Sequence, residues 1–291
     1  MNTEKEAQAI QILKTFEPQT EPYYLCYSGG KDSDCIRILA DLAGVKHDIV
    51  HNLTTVDAPE TVRYVKSIPN VQICYPEKTM WQLIPEYCIP PLRLMRYCCE
   101  ELKEHGGKFR RKVTGVRWAE SRNRANNSGK VLVIGKKQTV KAEAEKHGVE
   151  VTETPKQGLI LNHDNAETRN VVENCYRTTS TLINPIVDWT DRDVWDFLHH
   201  YGCESNPLYQ CGFKRIGCIG CPMASKHRYA EFRRYPKYKQ MYIHAFDRML
   251  KERERRHLPN FNGWETGEAV FKWWMGEDVN QLSLFDLENY L

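Results

Sequence analysis

The hydrophobic pattern of the first 120 residues alternates between short apolar runs and longer segments whose apolar residues recur at helical spacing. The runs predict strands, and the spaced segments predict helices between them. This order is typical of an α/β fold with a doubly wound, mostly parallel sheet, whose ligands bind beyond the carboxyl ends of the strands. The predicted strands cover residues 23–27, 47–52, 71–75 and 113–118, and the predicted helices cover residues 3–16, 33–44 and 58–67.

The pattern changes after residue 125, where short strands (130–136 and 159–161) and helices (140–147 and 165–175) predict a small inserted α+β lid. The main pattern then resumes, with Thr190 and Asp193 placed as a capping-box pair at a helix start. We therefore predict a main domain over residues 1–125 and 177–225. The insertion covers 126–176, a basic helical region covers 226–276, and a flexible tail covers 277–291.

Composition narrows the functional classes. The chain has 291 residues and a formal net charge of +3, which does not by itself indicate nucleic acid, although basic residues concentrate between residues 226 and 256. No apolar run reaches bilayer length and the N-terminal residues are charged, so we expect a cytoplasmic protein without membrane contact. Eleven cysteines in a reducing compartment favour metal or redox chemistry over a disulfide framework.

A glycine turn joins the first predicted strand to a helix, in the sequence Ser28-Gly29-Gly30-Lys31-Asp32-Ser33. Glycine lets backbone N–H groups converge on an anion, and the amino end of the helix adds partial positive charge. Lys31 supplies a full charge, and Ser33 is expected to cap the helix and donate to a phosphate oxygen. The spacing is not that of the mononucleotide P-loop. The turn therefore predicts a phosphate site of another kind.

Two cysteine pairs indicate a metal site: Cys98 and Cys99 are adjacent, and Cys218 and Cys221 form a C-x-x-C knuckle. Four thiolates suit a [4Fe–4S] cluster or tetrahedral zinc, and free thiols are the third alternative. Cys211 is the substitute ligand if one of the four fails. Four other cysteines lie in apolar patterns and are expected in the core: Cys26, Cys35, Cys74 and Cys88.

The glycine turn resembles the pyrophosphate loop (PP-loop) of the ATP-pyrophosphatase, adenine nucleotide alpha-hydrolase-like superfamily. Four further segments, at residues 57–61, 115–122, 185–195 and 206–209, resemble the phosphoadenylyl-sulfate (PAPS) reductase family. The two cysteine pairs resemble the cluster-binding pattern of adenylyl-sulfate reductases, which favours iron–sulfur. The resemblance implies an adenine nucleotide bound by a set of ten residues: Ser28, Gly29, Gly30, Lys31, Asp32, Ser33, Asp57, Gly115, Arg117 and Glu120.

One feature of the reductases is absent from this sequence. They resemble one another in a nucleophilic cysteine within a C-terminal E-C-G-x-H-like tail, whereas the last cysteine here is Cys221. Thiosulfonate chemistry needs such a thiolate. The resemblance then implies the other chemistry of the superfamily, in which a substrate oxygen attacks the α-phosphate of ATP and pyrophosphate leaves. The chain is more similar to the DNA-phosphorothioation branch, which combines this loop with an iron–sulfur cluster.

That resemblance assigns roles to individual residues. Lys31 and the loop amides would hold the pyrophosphate, Asp32 would bind Mg²⁺, and Arg117 would contact a phosphate. We therefore expect an enzyme of sulfur transfer or nucleic-acid modification that receives sulfur from a donor protein. The alternatives are a PAPS or adenylyl-sulfate reductase of sulfate assimilation and a non-catalytic nucleotide sensor that binds the sliding clamp or DNA.

The tail contains a short motif with a separate implication. Gln281-Leu282-Ser283-Leu284-Phe285 resembles the peptide by which bacterial proteins dock on the sliding clamp. In an extended segment, Leu282, Leu284 and Phe285 can contact an apolar pocket while Gln281 hydrogen-bonds at its rim. An ending packed on the protein's own core is the alternative. Docking would place the protein beside DNA, which is consistent with the basic segment.

Overall fold

The computed structural model describes residues 3–104, 106–108, 110–155, 158–175, 179–260 and 262–277. The chain forms two compact units, each assembled from separate stretches of sequence. The sheet unit consists of Met1–Asn52, Pro59–Cys74 and Gly106–Ile216. The helical unit consists of Leu53–Ala58, Tyr75–His105 and Gly217–Leu291.

The strands of the described residues form one eight-stranded sheet within the sheet unit, in the order β3-β2-β1-β4-β8-β5-β7-β6. The strands are β1 (Tyr23–Cys26), β2 (His47–Asn52), β3 (Val71–Cys74), β4 (Lys112–Val113), β5 (Val131–Gly135), β6 (Val151–Glu153), β7 (Gly158–Leu161) and β8 (Thr179–Ile183). Pairs from β3 to β8 are parallel, and pairs from β8 to β6 are antiparallel. The predicted α/β fold with a mostly parallel sheet is confirmed. Strands β5 to β7, from the segment predicted as an insertion, extend this sheet.

Helices surround the sheet and build the second unit. They are α1 (Thr3–Thr15), α2 (Lys31–Ala43), α3 (Pro59–Ser67), α4 (Met80–Tyr87), α5 (Tyr97–Cys99), α6 (Arg122–Asn127), α7 (Lys137–Lys146), α8 (Ala166–Cys175), α9 (Asp191–His200), α10 (His227–Arg234), α11 (Pro236–Arg255) and α12 (Gly267–Met275). Helices α4, α5 and α10 to α12 belong to the helical unit, and the others belong to the sheet unit.

The core of the sheet unit follows from its apolar patterns. Tyr23 to Leu25 are buried in β1, as expected for a central parallel strand covered on both faces. Helix α2 packs on α1 and α9 and buries Ile36 and Leu39. Its end is fixed by Gly44, whose φ of 66° is the left-handed conformation that glycine favours. These contacts hold the first turn of α2 at the end of β1.

The core of the helical unit is aromatic. Helix α11 packs on α4 and α12 and buries Tyr242, Phe246 and Met249 along one face. The Tyr242 and Trp274 rings have centroids 4.9 Å apart, and the Trp274 indole N–H donates to the carbonyl of Pro91 at 2.7 Å. This core supports the loops of the same unit that carry its cysteines.

Three local predictions were wrong. Helix α2 begins at Lys31 rather than Ser33, because Gly30 is extended (φ −106°) and serves as N-cap. The strand predicted over 113–118 ends at Val113, since Gly115 approaches the backbone of α2 and a 3₁₀ turn begins at Trp118. Cys74, expected in the core, is exposed because β3 is an edge strand. Among the described helices, none has the length and apolarity needed to cross a membrane.

Candidate functional site

The glycine turn of residues 28–33 connects β1 to the first turn of α2 in the sheet unit. Gly29 has a φ of 73°, in the left-handed region that L side chains rarely adopt. A Cβ at Gly29 would also lie 2.7 Å from Cγ2 of Val65. Position 29 therefore requires glycine for conformation and for space. The turn directs backbone N–H groups and the amino end of α2 toward the carboxyl edge of the sheet.

Ser33 closes this turn from inside the helix. Its hydroxyl accepts from the Gly30 amide at 3.0 Å and donates to the Gly30 carbonyl at 2.7 Å. The Ser28 hydroxyl donates to Ser33 Oγ at 3.3 Å. Ser33 thus bonds back to the N-cap residue and is not itself the cap. Its expected contact with phosphate would compete with these bonds.

Residues 206–209 complete the turn, although the sequence assigned them no role. The Tyr209 hydroxyl accepts from the Lys31 amide at 2.9 Å. The Asn206 side-chain amide donates to the Gly29 carbonyl at 3.0 Å and lies 3.1 Å from Thr61 Oγ1. Asn206 is fully buried, so these bonds fix the outer side of the turn. An anion oxygen at the position of the Tyr209 oxygen could accept the same hydrogen bond from the Lys31 amide.

Two cations and two carboxylates form a network against the turn. Lys31 Nζ lies 3.6 Å from Asp32 Oδ2 and 3.5 Å from Asp191 Oδ1. Arg117 is 2% exposed and donates from Nε to Asp32 Oδ1 and from Nη2 to Asp191 Oδ1, both at 2.7 Å. Its Nη1 donates to the Trp189 carbonyl at 3.1 Å. Arg117, predicted to bind phosphate, therefore has every guanidinium nitrogen engaged by protein.

Burial and charge act on this network in opposite directions. Burial raises the pKa of Asp32, although the neighbouring Lys31 and Arg117 oppose the rise. The hydrogen bond from Arg117 lowers the pKa of the more exposed Asp191. Burial alone would lower the pKa of Arg117, but the two carboxylates outweigh it and raise the value. The ionised form of Asp32 thus depends on the two cations beside it.

Gly115 and Glu120 flank Arg117 and shape its loop. A Cβ at Gly115 would lie 2.9 Å from the carbonyl carbon and oxygen of Asp32, so only glycine permits this approach of the loop to α2. Glu120 Oε2 accepts from the Arg117 amide at 3.3 Å and lies 3.6 Å from Arg124 Nε. The structure brings both predicted residues to the network, where their contacts position Arg117.

The remaining predicted groups are Asp57 and the clamp-like segment. Asp57 belongs to the helical unit, where its Oδ2 accepts from the Thr54 amide at 2.6 Å and its carbonyl accepts from the Tyr238 hydroxyl at 2.9 Å. The clamp-like segment of residues 281–285 lies outside the described residues.

The four predicted metal ligands all belong to the helical unit. Cys98 and Cys99 form the end of the short helix α5, and Cys218 and Cys221 lie in a turn closed by a 3.2 Å bond from the Cys221 amide to the Cys218 carbonyl. Gly220 within this turn has a φ of 76°, and a Cβ there would lie 2.6 Å from the ring of Phe232. The knuckle is therefore fixed by the aromatic core.

Charge interactions link the two cysteine pairs. The pKa of Cys98 is raised by its hydrogen bond with Cys99, by burial, and by the charges of Cys218 and Cys221. The hydrogen bond from Cys98 lowers the pKa of Cys99 to about 5, with further lowering by Arg96, whose Nη2 donates to the sulfur at 3.1 Å. The hydrogen bonds from Cys98 and Arg96 thus favour the ionised form of Cys99. We call these four residues the thiol cluster.

Lys103 adds a second cation to the thiol cluster. The interaction with Cys218 raises the pKa of Lys103 against the effect of burial, and Asp57 acts in the same direction. Burial in turn raises the pKa of Cys218, and Lys103 opposes this rise.

Cys211, the predicted substitute, is exposed and belongs to the sheet unit. Within the described part of the chain, no three His, Cys, Asp or Glu side chains form a group that could hold a metal ion.

The chain matches the phosphoadenosine phosphosulfate reductase domain family over residues 22–224. An uncharacterized protein of Methanocaldococcus jannaschii is 25% identical over 295 residues, covering 94% of this chain and 57% of that protein. A second protein of this organism is 26% identical over 284 residues, covering 92% of this chain and 49% of that protein. The chain thus spans about half the length of these curated relatives.

Two similarities concern proteins with named activities. Adenosine 5′-phosphosulfate reductase of Allochromatium vinosum is 43% identical over 42 residues, which is 14% of this chain and 16% of that protein. Among solved structures, phosphoadenylyl-sulfate reductase from Candida auris in a phosphate complex aligns with a TM-score of 0.43 and 16% identity, covering 72% of this chain and 88% of that chain.

Proposed function

The chain belongs to the phosphoadenosine phosphosulfate reductase domain family, and from this premise we propose that it binds ATP at residues 28–33 and directs attack on the α-phosphate. The supporting observation is the glycine turn itself, with Gly29 held at a φ of 73° and Lys31 buried at the start of α2. Converging amides, a lysine and a helix amino end form a site for a polyphosphate. An adenylylated substrate would then be open to sulfur transfer.

The charge network supports separate roles for its members. Lys31 and the turn amides would hold the leaving pyrophosphate, because positive charge there stabilises the charge that develops on departure. Asp32 Oδ1 accepts from Arg117, and Asp32 Oδ2 lies 3.6 Å from Lys31 Nζ, so Oδ2 is the oxygen that would bind a Mg²⁺ carried by the nucleotide. Such an ion would neutralise phosphate charge. Arg117 positions Asp32 in this proposal.

We further propose that the thiol cluster holds a [4Fe–4S] cluster, with tetrahedral zinc as the alternative. The supporting observation is that Cys218 and Cys221 raise the pKa of Cys98, so the two cysteine pairs lie close enough to influence each other's charge, although the described side chains do not form a ready metal-binding group. Arg96 and Lys103 supply the positive charge that a thiolate-bound cluster requires. When bound, the cluster would tie the two cysteine pairs together and could accept or donate an electron.

Replacement of Lys31 tests the nucleotide site. Lys31→Ala is expected to weaken ATP binding at least tenfold, about 1.4 kcal/mol, because it removes the charge nearest the turn. Lys14→Ala, at an exposed position of α1, is the matched control and should leave affinity unchanged. Calorimetric titration measures both. Equal affinity in wild type and Lys31→Ala would place the nucleotide elsewhere.

The reaction is tested on anaerobically prepared protein with ATP, Mg²⁺ and candidate acceptors, by release of pyrophosphate and AMP. Turnover that depends on acceptor and disappears in Lys31→Ala supports the proposal. Stoichiometric binding without turnover would instead favour the nucleotide sensor. Sulfite formed from phosphoadenylyl sulfate and a thiol donor would favour the reductase.

We also propose that residues 281–285 dock on a bacterial sliding clamp, on the sequence motif alone. Deleting residues 280–291 should abolish capture of the clamp while ATP binding persists, because an extended end can be presented without cost to the fold. Leu284→Ala with Phe285→Ala should do the same, whereas Ser283→Ala should not. A truncated protein that melts many degrees lower, or a wild type that never captures the clamp, contradicts the idea.

A further inference from the structure

From residue 226 to residue 251, the exposed ionic side chains of α10 and α11 carry charge of one sign; beyond that segment, α11 exposes Glu254. Between residues 226 and 251, the exposed ionic side chains are six Lys and Arg residues and no acids. This basic set consists of Lys226, Arg233, Arg234, Lys237, Arg248 and Lys251, with His227 and His244 nearby. The two acids of the segment are half-buried and accept from backbone amides, Glu231 from Gly220 at 2.8 Å and Asp247 from Gly267 at 2.5 Å.

Five exposed residues of α11 lie along one face of the helix. Lys237, Met241, His244, Arg248 and Lys251 follow one another at spacings of four, three, four and three residues. With a rise of about 1.5 Å per residue, this basic stripe is about 21 Å long. The opposite face is buried in the aromatic core. The stripe is therefore held rigidly on the surface of the helical unit.

Local pairing does not neutralise the stripe. Arg248 donates to the Trp81 carbonyl, a neutral group, at 2.5 Å. Lys237 and Lys251 of the stripe, and Arg233 near the end of α10, make no ion pair within the described part of the chain. Like charges at helical spacing repel one another. An external polyanion would relieve this repulsion.

We propose that the basic stripe binds the phosphate backbone of double-stranded DNA. A membrane surface is disfavoured because the apolar face of α11 is buried in the unit's own core. A protein partner would need apolar anchors, whereas Met241, 40% exposed, is the large apolar residue that α11 exposes. The Phe and Tyr rings of α11 are not exposed, so single-stranded bases have no stacking platform there.

The shape of the stripe favours DNA over duplex RNA. A helix fits the major groove of B-DNA, which is about 12 Å wide, while the major groove of A-form RNA is too narrow. A stripe of about 21 Å follows roughly six base pairs of duplex at 3.4 Å each. This inference does not rest on the nucleotide chemistry proposed above, because none of its residues lies in residues 28–33 or the thiol cluster.

Fluorescence anisotropy with a labelled DNA duplex of about 20 base pairs tests the proposal on the full chain. Arg233→Gln, Lys237→Gln and Lys251→Gln combined should weaken binding at least tenfold. The slope of log K against log salt should also become shallower by about 3, one for each lost phosphate contact. ATP binding should not change. These three positions are exposed, so the melting temperature should be close to that of wild type.

A matched variant removes the same charges from the sheet unit. Lys14→Gln, Arg63→Gln and Lys66→Gln combined also replace one arginine and two lysines at exposed helix positions, and should change the affinity for DNA less than about threefold. Equal losses in the two triple variants would overturn the proposal, because net charge alone would then explain binding. Duplex RNA or anionic vesicles bound as tightly through the same three residues would also overturn it. A slope of log K against log salt shallower than about −2 for the wild-type protein would also overturn the proposal, and this measurement needs no variant.

Discussion

Arg117→Met is expected to lower the free energy of unfolding by about 3 kcal/mol. Removing one partner of a buried ion pair costs about 3–5 kcal/mol because the other charge stays buried without compensation. The lower end of this range applies because Asp191, the second partner, is exposed, whereas the Asp32 side chain is 23% exposed. Urea unfolding of the two proteins at pH 7 measures the difference.

The same substitution should have a smaller effect in acid. Arg117 opposes the rise in the pKa of Asp32 that burial causes, and it lowers the pKa of Asp191. Without Arg117 both pKa values increase, so the folded variant binds protons at pH values where the folded wild type does not. The stability difference therefore grows as pH rises and shrinks as both carboxyls become protonated, toward pH 4 and below. Unfolding curves at about pH 4 and pH 7 check this sign.

Arg192→Met is the matched control on α9. The Arg192 side chain is 90% exposed and lies 3.7 Å from Asp196, so its loss should change stability within about 0.5 kcal/mol. If Arg117→Met lowers the free energy of unfolding no more than Arg192→Met does, the contacts of Arg117 do not stabilise the fold. If the Arg117→Met protein is stable but has lost its affinity for ATP, the result would favour the phosphate contact that the sequence predicts for Arg117.

Anaerobically purified protein is expected to contain about four iron and four sulfide ions per chain. Cys98→Ser or Cys218→Ser should remove nearly all of the iron, because each change takes one thiolate from a centre that joins two distant segments. The loss should lower the melting temperature of the helical unit as well. Iron, sulfide and zinc analysis of each preparation measures the outcome.

Cys211→Ser and Cys74→Ser are the controls, since both cysteines are exposed and belong to the sheet unit. Iron content should match that of wild type in both. Loss of iron in Cys211→Ser would make Cys211 a ligand in place of one of the four. Colourless wild-type protein with one tightly held zinc would instead favour the structural knuckle.

Local chemistry predicted several elements closely. The capping box of Thr190 and Asp193 begins α9, with the Thr190 hydroxyl 3.2 Å from the Asp193 amide. Gly44 ends α2 in the left-handed conformation. Strand β2 covers the predicted residues 47–52. The sequence predicted these features because the residues that determine each of them lie within a few positions of one another.

Other elements gave weaker local signals. Helix α12 depends on Thr266, which caps it, and on an aromatic face whose partners lie on α10 and α11. Helix α4 contains Pro85, and a proline argues against a helix in the sequence although this one lies near the helix end. Strand β6 has a single half-buried residue, Val151, and among the described strands it pairs with β7 alone. Tertiary packing decides such segments.

Contiguous residues or fixed spacing carry the family, the alternating fold, the position of the glycine turn and the two cysteine pairs, so the amino-acid sequence was enough to predict them. The tertiary structure decided what those residues contact. It placed Asp191 beside Lys31 and Arg117, residues 74 to 160 positions away along the chain, and turned Glu231 and Asp247 inward. The spacing of residues along the chain cannot reveal such contacts, because the packing of separate helices and strands brings these side chains together.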